Sequence, residues 1–188
     1  MKKSIGADAV LYPTPLTVVG TYDAMGKPNV ITAAWVGLCC SNPPCVAVSL
    51  RKARHSYASI VERKAFTVNV PSERYVKEAD YFGLVSGGNV DKFAATGLTA
   101  VRSELVEAPY VLEFPLVLEC KLVHSIDLGV HTQFIGQIMD VKADEEVLTD
   151  GSVPDIYKLQ PIVFAPRCHT YHGVGKYLGQ AFSLGKQV

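Results

Sequence analysis

Short runs of alternating apolar and polar residues, separated by turn residues, dominate the first half of the chain. Residues 65–70 (AFTVNV) set Phe66, Val68 and Val70 on one face and Thr67 and Asn69 on the other, the period of a half-buried strand. LTVVGTY (16–22) and VITAAW (30–35) flank Gly26, Pro28 and Asn29, which predicts a hairpin. CVAVSL (45–50), introduced by Asn42, Pro43 and Pro44, predicts a third strand. LVLECKLV (116–123) and TQFIGQIMDV (132–141) add two more, and the acidic ADEEVLTDG that follows predicts a surface loop. Helical patterning is sparse. SYASIVER (56–63) has a Ser59 to Glu62 spacing that suits a capping box, SERYVKEADYF (72–82) opens with Ser then Glu, and VDKFAAT (90–96) is stopped by Gly97. Strands that follow one another without long helical crossovers predict a mainly β protein. The expected fold is a closed or nearly closed antiparallel Greek-key barrel of about six or seven strands with a few short flanking helices.

Length and composition narrow the picture. At 188 residues, with no repeat, low-complexity tract or linker, the chain is expected to be a single domain over 1–188. Hydrophobic residues make up 48% and charged residues 19%, which leaves little charge to cover a monomer and points to a homo-oligomer. Lys plus Arg (18) balances Asp plus Glu (18), so no global field attracts nucleic acid or an anionic membrane. No apolar run reaches the roughly 18 residues of a membrane span. Five cysteines are an odd number, and Asp8, Pro13 and Pro15 interrupt any leader-like apolar stretch. Reduced thiols and a cytoplasmic location are the expectation.

Several motif-like stretches carry little. GVGKYLG (173–179) has the wrong spacing for a dinucleotide loop and too little chain behind it, and neither Gly26-Lys27 nor Gly185-Lys186 has P-loop spacing. Cys39, Cys40 and Cys45 with Cys168, His169 and His172 lack a metal-binding C-x-x-C pair, so no metal is expected.

SLRKARHSY (49–57) is more informative. A strand ends at Leu50, Arg51, Lys52 and Arg54 follow, and a helix begins at His55 or Ser56. Free N–H groups of a first helical turn, a Ser hydroxyl and Arg forks suit a phosphate; an ordinary solvated basic loop with a Ser N-cap has the same spacing. In TAAW (32–35) small side chains let a flat ligand approach the backbone and the single Trp offers a stacking face, or a core Trp beside a hairpin. His131, just after the Gly129 turn, is either a ligand donor or a turn cap, and Lys92 in SGGNVDKF is either a phosphate or carbonyl donor or a surface lysine.

Taken in order, NVITAAWVGLCCSNPPCVAVSLRKARHSY (29–57), AFTVNVPS (65–72), SGGNVDKFAATGL (86–98), GVHTQFIGQIMDV (129–141) and YHGVGKYLGQAF (171–182) resemble the flavin reductase-like FMN-binding split-barrel family over nearly the whole chain. The resemblance implies a homodimer with FMN near the subunit contact. It also implies a phosphate corner at Arg51, Lys52, Arg54, His55 and Ser56. Thr32, Ala33, Ala34 and Trp35 would lie along the flavin ring with Ser49 and Leu50 close by, and Lys92, His131 and Phe164 would be further contacts, His131 being the candidate catalytic group. Val130 stands where flavin reductases of the family often carry Asp. Three functions are then expected in turn: a redox protein passing electrons through retained FMN to or from a partner protein, an NAD(P)H:flavin oxidoreductase, or a non-catalytic ligand-binding module.

Overall fold

The computed structural model describes residues 1–187. Seven strands form the main sheet: β1 (Thr17–Tyr22), β2 (Pro28–Ala33), β3 (Val36–Ser41), β4 (Pro44–Arg51), β5 (Ala65–Val70), β6 (Leu116–Asp127) and β7 (His131–Ala143). Their spatial order is β2-β1-β5-β6-β7-β4-β3, antiparallel throughout. The edge strands β2 and β3 are consecutive in the chain, separated only by Ala34 and Trp35. Three Cα steps span at most about 11 Å, so the sheet must curl until its two edges nearly meet. A backbone bond from Ser49 N–H to the Trp35 carbonyl (2.9 Å) ties the connection to β4. The result is a barrel with one seam, and β4 returning beside β7 makes the expected Greek key.

Alternation along the strands fills two cores. Val19, Ile31, Val46, Val48, Phe66, Val68 and Phe134 point into the barrel, while Val18 and Val30 face outward onto a second cluster with Ala79, Phe82, Phe93 and Phe114. That outer cluster lies under α2 (Val76–Leu84) and α3 (Lys92–Thr96); α1 (His55–Arg63) connects β4 to β5. Thr67 and Asn69, expected on a solvent face, are fully buried. The 109–111 segment covers them: Thr67 Oγ1 donates to the Pro109 carbonyl (2.6 Å), and Asn69 Nδ2 donates to the Val18 carbonyl (2.9 Å) while its Oδ1 accepts from Val111 N–H (2.9 Å). A polar strand face reads as exposed in sequence whenever a distant segment satisfies it.

Helix ends also differ from expectation. Arg54 is the extended N-cap of α1 and no side chain caps it, so Ser59 and Glu62 form no capping box. The 72–82 segment starts as a 3-10 turn (Glu73–Tyr75) before α2. Asp91 caps α3 through Ala94 N–H (3.1 Å), and Gly97 ends it at φ +71°, where a Cβ would be strained. The 143–151 segment, expected as a loop, contains a 3-10 turn and a two-residue strand, Leu148–Thr149, paired with Val153–Pro154. A small sheet of Thr14–Pro15, Val163–Ala165 and Thr170–His172 packs at the seam. Among the described residues no helix is long and apolar enough to cross a membrane.

Candidate functional site

Beside the seam, the ends of β2 and β4 enclose a cleft of about 340 Å³. Its floor is the end of β2 (Ile31, Thr32, Ala33) with Ala34 and Trp35, its far wall Ser49, Leu50 and Arg51 of β4, and His131 stands at the start of β7. Ala33 and Ala34 are small and buried, so backbone lies close under the floor. Thr32 Oγ1 is turned away to the Ala79 carbonyl, and a Cβ on Gly83 would stand 3.3 Å from Thr32 Cβ. Antiparallel register sets His131 opposite Arg51. The Trp35 and His131 rings are nearly parallel (10°) with centroids 6.2 Å apart. Phe164 and Tyr171, neighbours in the small sheet, close the other side, and Tyr171 Oη donates to Asp80 Oδ1 (2.6 Å). Burial, then that carboxylate, pushes the Tyr171 phenol far above its ordinary value.

A second, smaller cavity of about 70 Å³ adjoins the cleft; Ile31 and Arg54 line both. Asn29, His55, Ser56, Ser86, Gly87 and Lys92 are among its other walls. It sits at the uncapped N-terminus of α1, where first-turn N–H groups and the positive end of the helix dipole are available to an anion. Lys92 is not a surface lysine: its ammonium is buried and donates to the Val30 and Phe82 carbonyls, 2.7 Å each. Burial, and after it the Arg54 guanidinium, pulls Lys92 down to about 8. Ser56 Oγ accepts from Asn29 Nδ2 (2.8 Å), and Asn29 Oδ1 is buried without a partner. A Cβ on Gly87 would fall 2.0 Å from that oxygen, so only glycine allows the 86–88 loop to lie this close. Among the described residues no carboxylate lines either cavity.

The structure therefore brings Thr32, Ala33, Ala34, Trp35, Ser49, Leu50, Arg51, Arg54, His131 and Phe164 to the cleft, and His55, Ser56 and Lys92 to the basic pocket beside it. Lys52 lines neither, its amine being paired with Asp127 on the exposed surface. Leu16, Ile31, Gly83 and Tyr171 line the cleft and Gly87 the pocket without being expected from the sequence, and Asn29, expected in the hairpin turn, lies in β2 and lines the pocket. Of these, the Gly87-Gly88 pair and an Asn inside an apolar strand are the signals that could have drawn notice.

A profile of the flavin reductase like domain matches residues 9–167. The chain belongs to that family. Among solved structures it is similar to the flavoredoxin of Desulfovibrio vulgaris (Miyazaki F), at 57% identity and TM-score 0.94, covering 98% of this chain and 100% of that one. It is also similar to the flavoredoxin from Methanosarcina acetivorans, at 34% identity and TM-score 0.93, covering 100% and 98% respectively. An uncharacterised protein of Archaeoglobus fulgidus is 33% identical over 145 residues, 77% of this chain and 81% of its own length. The family's split barrel accounts for the seam, so the cleft is a property of the fold and its side chains are this chain's own.

Proposed function

We propose that the protein retains FMN and passes electrons between a donor protein and an acceptor protein, as a carrier of the flavoredoxin kind. The observation that carries this reading is the meeting of two unlike cavities at Arg54: a flat, backbone-floored cleft and a small carboxylate-free basic pocket at a helix N-terminus. One suits a tricyclic ring and the other a phosphate. Full-length similarity to two flavoredoxins supports it. Arg54, His55, Ser56, Lys92 and the first-turn N–H groups of α1 would hold the phosphate. The backbone of Thr32–Ala34 would lie along the ring, with Trp35 and Phe164 as aromatic walls and Ser49, Leu50 and Arg51 at its edge. Bound FMN would supply one- and two-electron chemistry at its ring. His131 would donate to the part of the ring that gains negative charge on reduction. The protein would work as a homodimer in the cytoplasm, where its five free thiols are reduced unless an oxidant is present.

A second reading, an NAD(P)H:flavin oxidoreductase, is favoured by Trp35, which is 46% exposed and leaves the cleft mouth open to a nicotinamide. Purified protein is expected to show flavin absorption bands that persist through gel filtration, with no sustained NADH or NADPH oxidation on adding free FMN. Sustained turnover with free FMN selects the reductase. A colourless protein that takes up no FMN overturns both and leaves a binding module for another ligand.

A further inference from the structure

We propose that Cys40 and Cys45 are a peroxide-responsive thiol–disulfide pair that closes the tip of the β3–β4 hairpin. The two strands join through a two-residue turn, Asn42 and Pro43, with Ser41 paired to Pro44 and Cys40 to Cys45. Directly opposed antiparallel residues have Cα atoms about 4.5–5.5 Å apart and side chains on the same face. That separation lies within the roughly 4.4–6.8 Å a disulfide spans. Cys40 is exposed and Cys45 is buried, the arrangement of an attacking thiol over a protected resolving one.

A third thiol, Cys39, is also exposed and sits where the β3–β4 register shifts between Leu38 and Cys40. The bulge leaves Cys39 without a register partner of its own, and it is Cys40 that is paired with Cys45. Burial and the neighbouring Cys45 and Cys40 sulfurs push the Cys39 thiol up, which lowers the fraction of it present as thiolate. Cys168 is elsewhere, against the Tyr12 hydroxyl (3.6 Å). Cys120 is buried inside the barrel.

The chemistry balances with hydrogen peroxide as the only oxidant. The Cys40 thiolate attacks one peroxide oxygen and the O–O bond breaks. This leaves Cys40 as the sulfenic acid, and the departing hydroxide takes the proton Cys40 had lost, giving one water. The Cys45 sulfur then attacks the Cys40 sulfur; the S–S bond forms, the S–O bond breaks, and the oxygen leaves with the Cys45 proton as the second water. Two electrons pass from the two sulfurs to peroxide. The strand so clasped begins at Val36, directly after Trp35, and Cys39 lines a groove of about 600 Å³ shared with Ala34, Trp35 and Ser49.

The test treats purified protein with a small excess of hydrogen peroxide, then removes the peroxide, unfolds the protein and blocks free thiols with N-ethylmaleimide. Intact mass and a non-reduced peptide map are then recorded. Wild type is expected to lose two of its five blockable thiols, to be lighter by about 2 Da before blocking, and to yield a Cys40–Cys45 crosslinked peptide that dithiothreitol reverses. Cys39→Ser should crosslink as wild type does. Cys40→Ser should form no such crosslink, and Cys45→Ala should accumulate a dimedone-reactive Cys40. The proposal is overturned if wild type keeps all five thiols, if the crosslink maps to Cys39 or Cys168, or if loss of two thiols persists in Cys40→Ser. Cys40 is exposed, so Cys40→Ser decides the matter even if Cys45→Ala does not fold.

Discussion

Lys92 holds an ammonium group inside the protein by donating to two backbone carbonyls, yet burial and Arg54 together bring it down to about 8. A phosphate dianion binds the ammonium better than the amine, so FMN affinity should hold from pH 7 to about 8 and fall as pH rises through that value. Folding has the opposite slope. The unfolded lysine titrates near its ordinary 10.5, so between about 8 and 10.5 the unfolded chain binds more protons and the ligand-free protein gains stability with rising pH. FMN titrations and urea melts from pH 7 to 10 check both signs, and Lys92→Met should abolish both. At Arg54 and Ser56, paired replacement by Ala should remove charge-assisted bonds of about 1.5–3 kcal/mol each, hence at least about tenfold in FMN affinity. Lys52→Ala is the control: its amine is spent on Asp127, so unchanged affinity there and a large loss in the double variant are the expected pair of results. Equilibrium dialysis in which the double variant binds FMN as tightly as wild type would end the phosphate assignment. His131 is tested by potential instead. If it donates to the reduced ring, His131→Ala should lower the midpoint, and a 30 mV drop corresponds to about 1.4 kcal/mol for a two-electron couple. A shift below about 15 mV leaves His131 as a turn residue.

Between the elements, the tightest fit is the 86–88 loop lying over β2. Gly87→Ala would press a methyl into the Asn29 amide, at 2.0 Å from its oxygen, whereas Gly88→Ala meets nothing closer than the His55 ring at 3.5 Å. Overpacking of this kind costs about 1–3 kcal/mol, so Gly87→Ala should melt lower and bind FMN more weakly while Gly88→Ala behaves as wild type. Equal melting temperatures for the two variants would refute the close approach. The same elements explain what the sequence could and could not reveal. Strand β5 was readable to the residue because Phe66 and Val68 alternate toward the barrel interior. Strand β3 (VGLCCS) went unread, because an edge strand exposed along most of its length has no buried face to write an alternation. The outer end of β6 is missed for the same reason, HSID being exposed. The RKARHS corner was readable since local order alone places cations before a helix. Asn29 and Gly87 are 58 positions apart (87 − 29), and nothing local in either predicts that they touch.

Seen as a whole, the molecule leaves apolar surface where a monomer has no use for it. The β6–β7 hairpin runs past the barrel, and its tip exposes Ile126, Leu128 and Val130 immediately before His131; Leu38 is exposed on the edge strand β3. With only 19% charged residues, few side chains are free to shield these positions. A second copy covering the hairpin tip would bring a partner surface to the rim of the cleft, beside Arg51 and His131. Such a pair needs a buried interface of at least about 1,000 Å² to be stable. Light scattering at micromolar concentration should accordingly report twice 20.4 kDa. Leu128→Asp with Val130→Asp places two charges in that contact and should give a species of 20.4 kDa that keeps its fold, because both side chains lie outside the two cores. If the cleft is completed by the partner, this monomer should also bind FMN at least about tenfold more weakly, a cost of about 1.4 kcal/mol. A wild type that runs only as the single chain would contradict the dimer. A monomeric variant with undiminished FMN affinity would confine the binding site to one chain, with the partner serving only to cover the apolar hairpin.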